Sequence, residues 1–237
     1  MTKVKLVMLG MLVVACSTKS ASEYKTSEIM ANFSATATGN GSTTVSGTLG
    51  DPTNLLTFLQ LTADDKLTAS QGSDSKEMKE TSLLGLVTYD ASFGKDAADT
   101  LFHIKLARSL DGGAPDSTTS LPQPFNLTPL AKAEFSRAEA MTVSWYGDAS
   151  ADKMTLKVSG TCLDGYDTDV PAGATTFTIP ANTLKKHAPS DSTEKVPDTC
   201  DAAISVSRSR SGTVDKAFKG GSFIASQTRS LDFKTKL

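Results

Sequence analysis

Residues 141–146 read Met-Thr-Val-Ser-Trp-Tyr, and the fold class turns on this short stretch. Met141, Val143 and Trp145 fall on one parity; Thr142, Ser144 and Tyr146 fall on the other. Side chains of a strand alternate between faces, so the pattern describes a strand with one face in a core and one toward solvent. Trp145, the single tryptophan of the sequence, is thereby assigned to core packing rather than ligand contact.

The same two-residue period runs outward from this stretch in both directions. Downstream lie 154–160 (MTLKVSG), 175–179 (TTFTI), 202–208 (AAISVSR) and 222–233 (SFIASQTRSLDF). Upstream lie 55–61 (LLTFLQL), 66–70, 83–93 and 101–108 (LFHIKLAR). Residues 32–49 form an early hairpin around Asn40-Gly41, a pair suited to a two-residue turn in which both positions need positive φ. Helical periodicity is nearly absent, although 131–140 (AKAEFSRAEA) has the composition for one helical turn. A run rich in Gly, Pro and Ser/Thr at 111–124 (DGGAPDSTTSLPQP) marks a seam. The expected architecture is all-β, with two sandwich domains in tandem at 26–120 and 121–237.

The amino terminus carries a different message. Lys3 and Lys5 precede an apolar run at 6–14, then Ala15 and Cys16. The run is too short for a permanent span of a ~30 Å hydrocarbon core and reads as an export leader, 1–15. Val13-Val14-Ala15-Cys16 resembles the bacterial lipobox, which implies acylation of the Cys16 thiol and cleavage before it. The alternatives are a chance cysteine at the end of an ordinary leader and a short anchor that is never cut. Acyl chains anchor at ~0.8 kcal/mol per buried CH₂, and two chains already hold stably. Ser17 is not the aspartate that usually retains such proteins at the inner membrane, so the expected address is the outer membrane, facing periplasm or cell surface. Residues 16–25, polar and small after Cys16, read as a flexible tether.

Removing 15 residues from 237 leaves 222; Lys3 and Lys5 go with the leader, leaving 22 basic against 26 acidic residues, a formal −4. A mildly acidic chain without a basic block argues against a nucleic-acid partner. With Cys16 assigned to lipid, Cys162 and Cys200 remain as an even pair in an exported chain, the setting in which disulfides persist. Two free thiols or half a metal site are the other readings. A bridge would close a 38-residue loop, worth roughly 4 kcal/mol by chain entropy. Placed by strand order, it is expected at the periphery, leaving the core to Trp145, Phe177, Ile179, Ile204 and Val206.

The succession MTVSWY, MTLKVSG, TTFTIPANTL and CDAAISVSR resembles strands B, C, E and F of fibronectin type III and immunoglobulin-like sandwiches, with Ile179-Pro180 and Leu184 matching the step after strand E. The chain is also similar to exported lipoproteins of Gram-negative bacteria. The matching features are Leu121-Pro122-Gln123-Pro124-Phe125, Trp145, the two late cysteines and the stretch from Gly212 to Arg229. The resemblance implies a fold and an address and brings no activity with it.

Catalytic chemistry is sparse in the sequence. His103 lies in a strand and His187 in a loop; no nucleophile elbow, zinc-protease motif or phosphate-binding glycine loop is present. A triad assembled from distant residues would leave no motif, but the expectation is a protein without enzymatic activity or cofactor. Asp164, Asp167 and Asp169 cluster in six residues and are weak calcium candidates, since calcium prefers grouped oxygen ligands in loops. Their spacing is not that of an EF-hand, and such clusters also build ordinary turns. Lys105, Lys157, Arg208 and Arg210 read as a solvated outer face more readily than as an anionic-ligand row. The leading expectation is a membrane-anchored structural or interaction module of the envelope. The alternative is an adhesion module binding an envelope glycan or protein, which an exposed aromatic cluster would favour; Tyr24, Tyr89, Tyr146 and Tyr166 are too scattered to show one.

Overall fold

The computed structural model describes residues 17–62, 64–189 and 195–236. Cys16, and with it the lipidation and leader readings, lies outside the described residues. Eighteen strands are described. The first ten are β1 Ser17–Ser20, β2 Met30–Ala37, β3 Thr43–Asp51, β4 Asn54–Gln60, β5 Lys66–Gln71, β6 Asp74–Glu77, β7 Lys79–Leu83, β8 Leu86–Phe93, β9 Leu101–Ala107 and β10 Ala114–Ser120. Then come β11 Phe125–Leu127, β12 Glu134–Ser136, β13 Met141–Gly147, β14 Lys153–Gly160, β15 Tyr166–Val170, β16 Thr176–Ile179, β17 Cys200–Ser211 and β18 Gly220–Lys236. Two short 3₁₀ turns, Ala21–Glu23 and Thr26–Glu28, are the only helical pieces among the described residues. The chain is all-β and built from sandwich sheets.

One large sheet runs in the order β1-β4-β3-β2-β18-β17-β14-β15, with the β7–β8 hairpin joining the edge of β3. Two small sheets lie against it: β10-β9-β5-β6 on the first part and β11-β13-β16 on the second. Each facing pair encloses its own core. Phe33, Val45, Leu49 and Phe93 meet Leu67, Phe102, Ile104 and Leu106 in the first. Phe125, Met141, Val143, Trp145 and Ile179 meet Leu156, Val158, Ile204, Val206 and Phe233 in the second. Alternation makes both possible: β9 buries Phe102, Ile104 and Leu106, and β13 buries Met141, Val143 and Trp145. Trp145 faces the second core as expected, and its Nε1 donates to Ala174 O at 3.0 Å.

The seam at 111–124 falls between the cores, with Leu121 in the first and Phe125 in the second. Within it, however, 114–120 is strand β10, because backbone pairing with β9 outweighs a composition that reads as loop. The carboxyl-terminal part is not confined to its own core. Phe218, Phe223 and Ala225 pack in the first, Phe223 edge-to-face on Phe33 at 5.6 Å. The reason is β18. It pairs antiparallel with β17 along one edge; its other edge takes β2 in parallel over 220–227 and β12 in parallel over 234–236. A single strand of ~55 Å thus borders both cores.

Three local expectations are corrected. Residues 38–42 make a five-residue loop in which Gly39 and Gly41 take positive φ, while Asn40 closes an Asx turn by accepting from the Ser42 amide at 3.1 Å. Residues 131–140 hold β12 rather than a helical turn, since β18 offers an open edge there. The polar stretch after Cys16 is docked instead of loose. β1 pairs in parallel with β4, Ala21 is buried, and Arg108, whose side chain is buried, donates from Nη1 to Tyr24 O (2.8 Å) and from Nη2 to Ala21 O (2.7 Å). Arg108 is itself paired with Asp65 at 3.1 Å, and the Thr26 amide and hydroxyl both donate to Asp111 at 2.6 Å. A buried charge needs such partners, and here they are the backbone of the amino-terminal segment.

Candidate functional site

The most concentrated polar chemistry lies between the two cores. On β17 the inward parity runs Cys200, Ala202, Ile204, Val206 and then Arg208 and Arg210. On β18 it runs Phe223, Ala225, then Gln227 and Arg229, and returns to Phe233. The ladder sets Arg208 opposite Gln227 and Val206 opposite Arg229, so both strands change from apolar to polar at one level.

Each arginine has a defined task there. Arg208 is only 4% exposed and donates from Nη1 to Gln123 O (3.0 Å) and Asp148 O (3.2 Å). Arg229 donates to Ala37 O at 3.3 Å and to Gln227 Oε1 at 3.2 Å. The two guanidiniums lie over the ring of Phe125, at 5.4 and 5.6 Å from its centroid, a doubled cation–π contact. A Cβ at Gly39 would come within 2.6 Å of Arg229 Nε, so the 38–42 loop covers the cation only because that residue is glycine, at φ +84°. Arg210 grips Asp152 with two bonds of 2.9 Å and reaches Asp99 at 2.7 Å and Ser120 Oγ at 3.1 Å.

Electrostatics follow from this packing. Burial lowers the pKa of Arg208 and Arg229 from the ordinary arginine value. The bonds to Asp152 and Asp99 raise Arg210, and the Arg210 bond in turn holds Asp152 below the usual carboxylate range. Arg208 and Arg210 are therefore framework residues, not the outer-face row expected from sequence, while Lys157 is exposed and pairs with Asp167 at 3.1 Å. Parity would have located them: an arginine on the buried register of a strand must answer something inside.

The remaining expected residues are dispersed. Cys162 and Cys200 form a disulfide, with Cα atoms 5.8 Å apart. It is not a peripheral staple: Cys162 is 0% and Cys200 8% exposed, and both belong to the second core. Cys200 begins the inward parity of β17, and the turn after β14 folds Cys162 and Leu163 beneath the sheet. Phe177 is only partly buried. Asp167 and Asp169 stand on β15 and answer Lys157 and Lys153 at 3.1 and 3.0 Å, while Asp164 sits in the preceding loop. Among the described residues no three His, Cys, Asp or Glu side chains gather as metal ligands. His103 faces Asp116 at 3.6 Å on the exposed side of β9, and the His187 amide donates to Cys162 O at 3.1 Å near the disulfide. Tyr89 is buried with its hydroxyl on Leu59 O and Leu61 N, Tyr24 donates to Asp51 at 2.8 Å, and Tyr146 is exposed.

Two further features lie at the surface. An open groove of ≈ 830 Å³ crosses β14, β17 and β18, where Gly160, Ala202 and Ala203 are small, with the Asp201–Lys234 pair (3.3 Å) beside it. At the β1 end of the large sheet, five leucines stand in solvent, in β4 and around the β7–β8 turn.

No family model matches the chain, and no curated protein matches its sequence. Solved structures to which it is similar include the FN1–FN3 domains of chicken CNTN1, at TM-score 0.29 and 12% identity over 94% of this chain and 68% of that one. A two-domain fibronectin type III segment of chicken tenascin gives TM-score 0.25 and 14% identity over 87% of this chain and 98% of that one. The BSP domain of a biofilm-associated protein gives 0.26 and 10% over 88% and 30%.

Proposed function

We propose that the chain is a non-catalytic structural or interaction module of the bacterial envelope, anchored to the outer membrane by acylation of Cys16. The observation that carries this reading is how the chain continues after that cysteine. Ser17 is already paired with Thr57, and Arg108 and Asp111 clamp residues 21–26, so a lipid on Cys16 would hold a rigid body with no slack between them. The polar groups inside the protein support the same view, because arginines tied to backbone carbonyls and carboxylates hold a frame together. A disulfide in the second core fits an oxidising compartment.

Labelled palmitate should enter the full chain expressed in a Gram-negative host and be lost in Cys16→Ser, with the wild type sedimenting in the outer-membrane fraction. An unmodified Cys16 in the mature protein, found by mass spectrometry, would refute the anchor. A second reading, binding of an envelope glycan or protein, draws on the open groove over β17 and β18. Ala203→Trp would fill it, and capture of an envelope component that is indifferent to this change would remove that reading.

A further inference from the structure

The five exposed leucines are Leu55 and Leu56 on β4 with Leu83, Leu84 and Leu86 on the β7–β8 hairpin. Leu55 is 83%, Leu83 69% and Leu84 87% exposed. Two segments 28 residues apart deliver them to one place, and hydrogen bonds fix that place. Ser17 pairs with Thr57, just past Leu56, and Thr18 Oγ1 donates to Gly85 O at 3.1 Å, at the tip of the hairpin. The first residues of β1 thus lie between the two leucine segments, so Ser17, the first described residue, stands among them.

The hairpin tip carries its own signal. Leu83 pairs with Leu86, so Leu84-Gly85 is a two-residue turn, with φ +49° at Leu84 and +83° at Gly85. Both positions require left-handed backbone, which asparagine accepts and a Cβ-branching or bulky side chain resists. Leucine here is unfavourable for the backbone and unfavourable in water. Stability within the protein therefore does not account for it, since the side chain is nearly free of neighbours and the turn would be better made without it.

We propose that this leucine surface is the face on which the protein meets a lipid bilayer, with the leucines entering the boundary between headgroups and acyl chains. The occupant follows from the position: the residue immediately before Ser17 is Cys16, which on the anchored reading carries acyl chains, and those chains would enter the membrane beside Leu56 and Leu84. The inference rests on that reading for how the face is brought to a membrane. It adds that the first sandwich lies against the bilayer by a defined end, with β15 and the second core held away from it.

Tryptophan fluorescence tests this with the full chain. Leu56→Trp and Leu84→Trp are purified from membranes and reconstituted into phosphatidylethanolamine–phosphatidylglycerol vesicles whose acyl chains are brominated. Trp145, buried in the second core, is the internal control in unsubstituted protein. Each introduced tryptophan should lose roughly half of its emission, as expected for side chains at the acyl boundary, while the emission of Trp145 stays constant. Protein that floats with the vesicles but shows no quenching at 56 or 84 overturns the leucine face and leaves the anchor standing. Quenching at 84 that persists in a floating Cys16→Ser chain supports the face and shows that it holds the bilayer without acyl chains. Failure to float, with no quenching, ends both. Leu84→Asn supplies the second readout: it should keep or raise the melting temperature in detergent and weaken bilayer contact. A lower melting temperature would mean that Leu84 serves the fold, against the proposal.

Discussion

At the scale of single residues, the arginines between the cores show how a charged side chain becomes part of a frame. Arg208 contributes its guanidinium to two carbonyls, to the face of Phe125 and, from Nη2, to the Met154 sulfur at 3.9 Å. Truncation would remove the donor to both carbonyls and leave the ring to Arg229 alone. Arg208→Ala should destabilise the protein by about 3 kcal/mol in urea unfolding, whereas Arg208→Met, which keeps the apolar stem, should lose about half as much. Equal losses would show that the guanidinium carries the effect rather than the stem. The sequence identified Trp145 correctly because a lone tryptophan on the apolar parity of a strand has few other places to go. It misassigned Arg208 because residue type was weighed above parity, and it misjudged the Asn40-Gly41 turn because Gly39 supplied another positive-φ position one residue earlier.

At the scale of elements, strands with a clean two-residue period were legible and strands made by partnership were not. β9, β13, β14 and β17 announce themselves through alternating Val, Ile, Leu and Phe. β1, β6, β10, β12 and β15 are polar or short, and exist because a neighbour offers an open edge. The disulfide was legible as a pairing but not as a location, since burial of Cys162 depends on a turn that folds under the sheet. Because the bridge is in the core and closes 38 residues, replacing both cysteines by alanine should cost about 4 kcal/mol, read from the urea midpoint, with the second core still formed. The β2–β18 junction is tighter still. A Cβ on Gly221 would overlap the Ala31 carbonyl, and φ there is +138°. Gly221→Ala should therefore destabilise by more than ~2 kcal/mol, checked by thermal melting.

At the scale of the whole molecule, two cores share one sheet, and their coupling can be measured. β17 and β18 extend from the second core to the level of Arg210 and Ala225, and Arg210 ties Asp99 on the first-core side to Asp152 on the second. Urea unfolding followed by Trp145 emission, which reports the second core, should coincide with hydrogen exchange of β3 and β9 in the first; two separated transitions would show that the cores are independent. The same link has a pH signature. The Arg210 bond depresses the pKa of Asp152 in the folded state, so its contribution is fully present above the unfolded value near 4 and is lost as pH falls through the folded value. Asp152→Asn should lower stability at pH 7 and flatten the decline below about pH 4.

The position of β18 along the chain has a consequence for biogenesis. Residues 220–236 emerge from the ribosome after almost everything they hold together, and they pair with residues 30–37, about 190 positions earlier. Neither hydrophobic interior can close until synthesis has passed that point, and contacts so distant in sequence form slowly. The nascent polypeptide therefore stays open for most of the translation of residues 17–236, and it acquires its shape only once this long ribbon slides in between its neighbours.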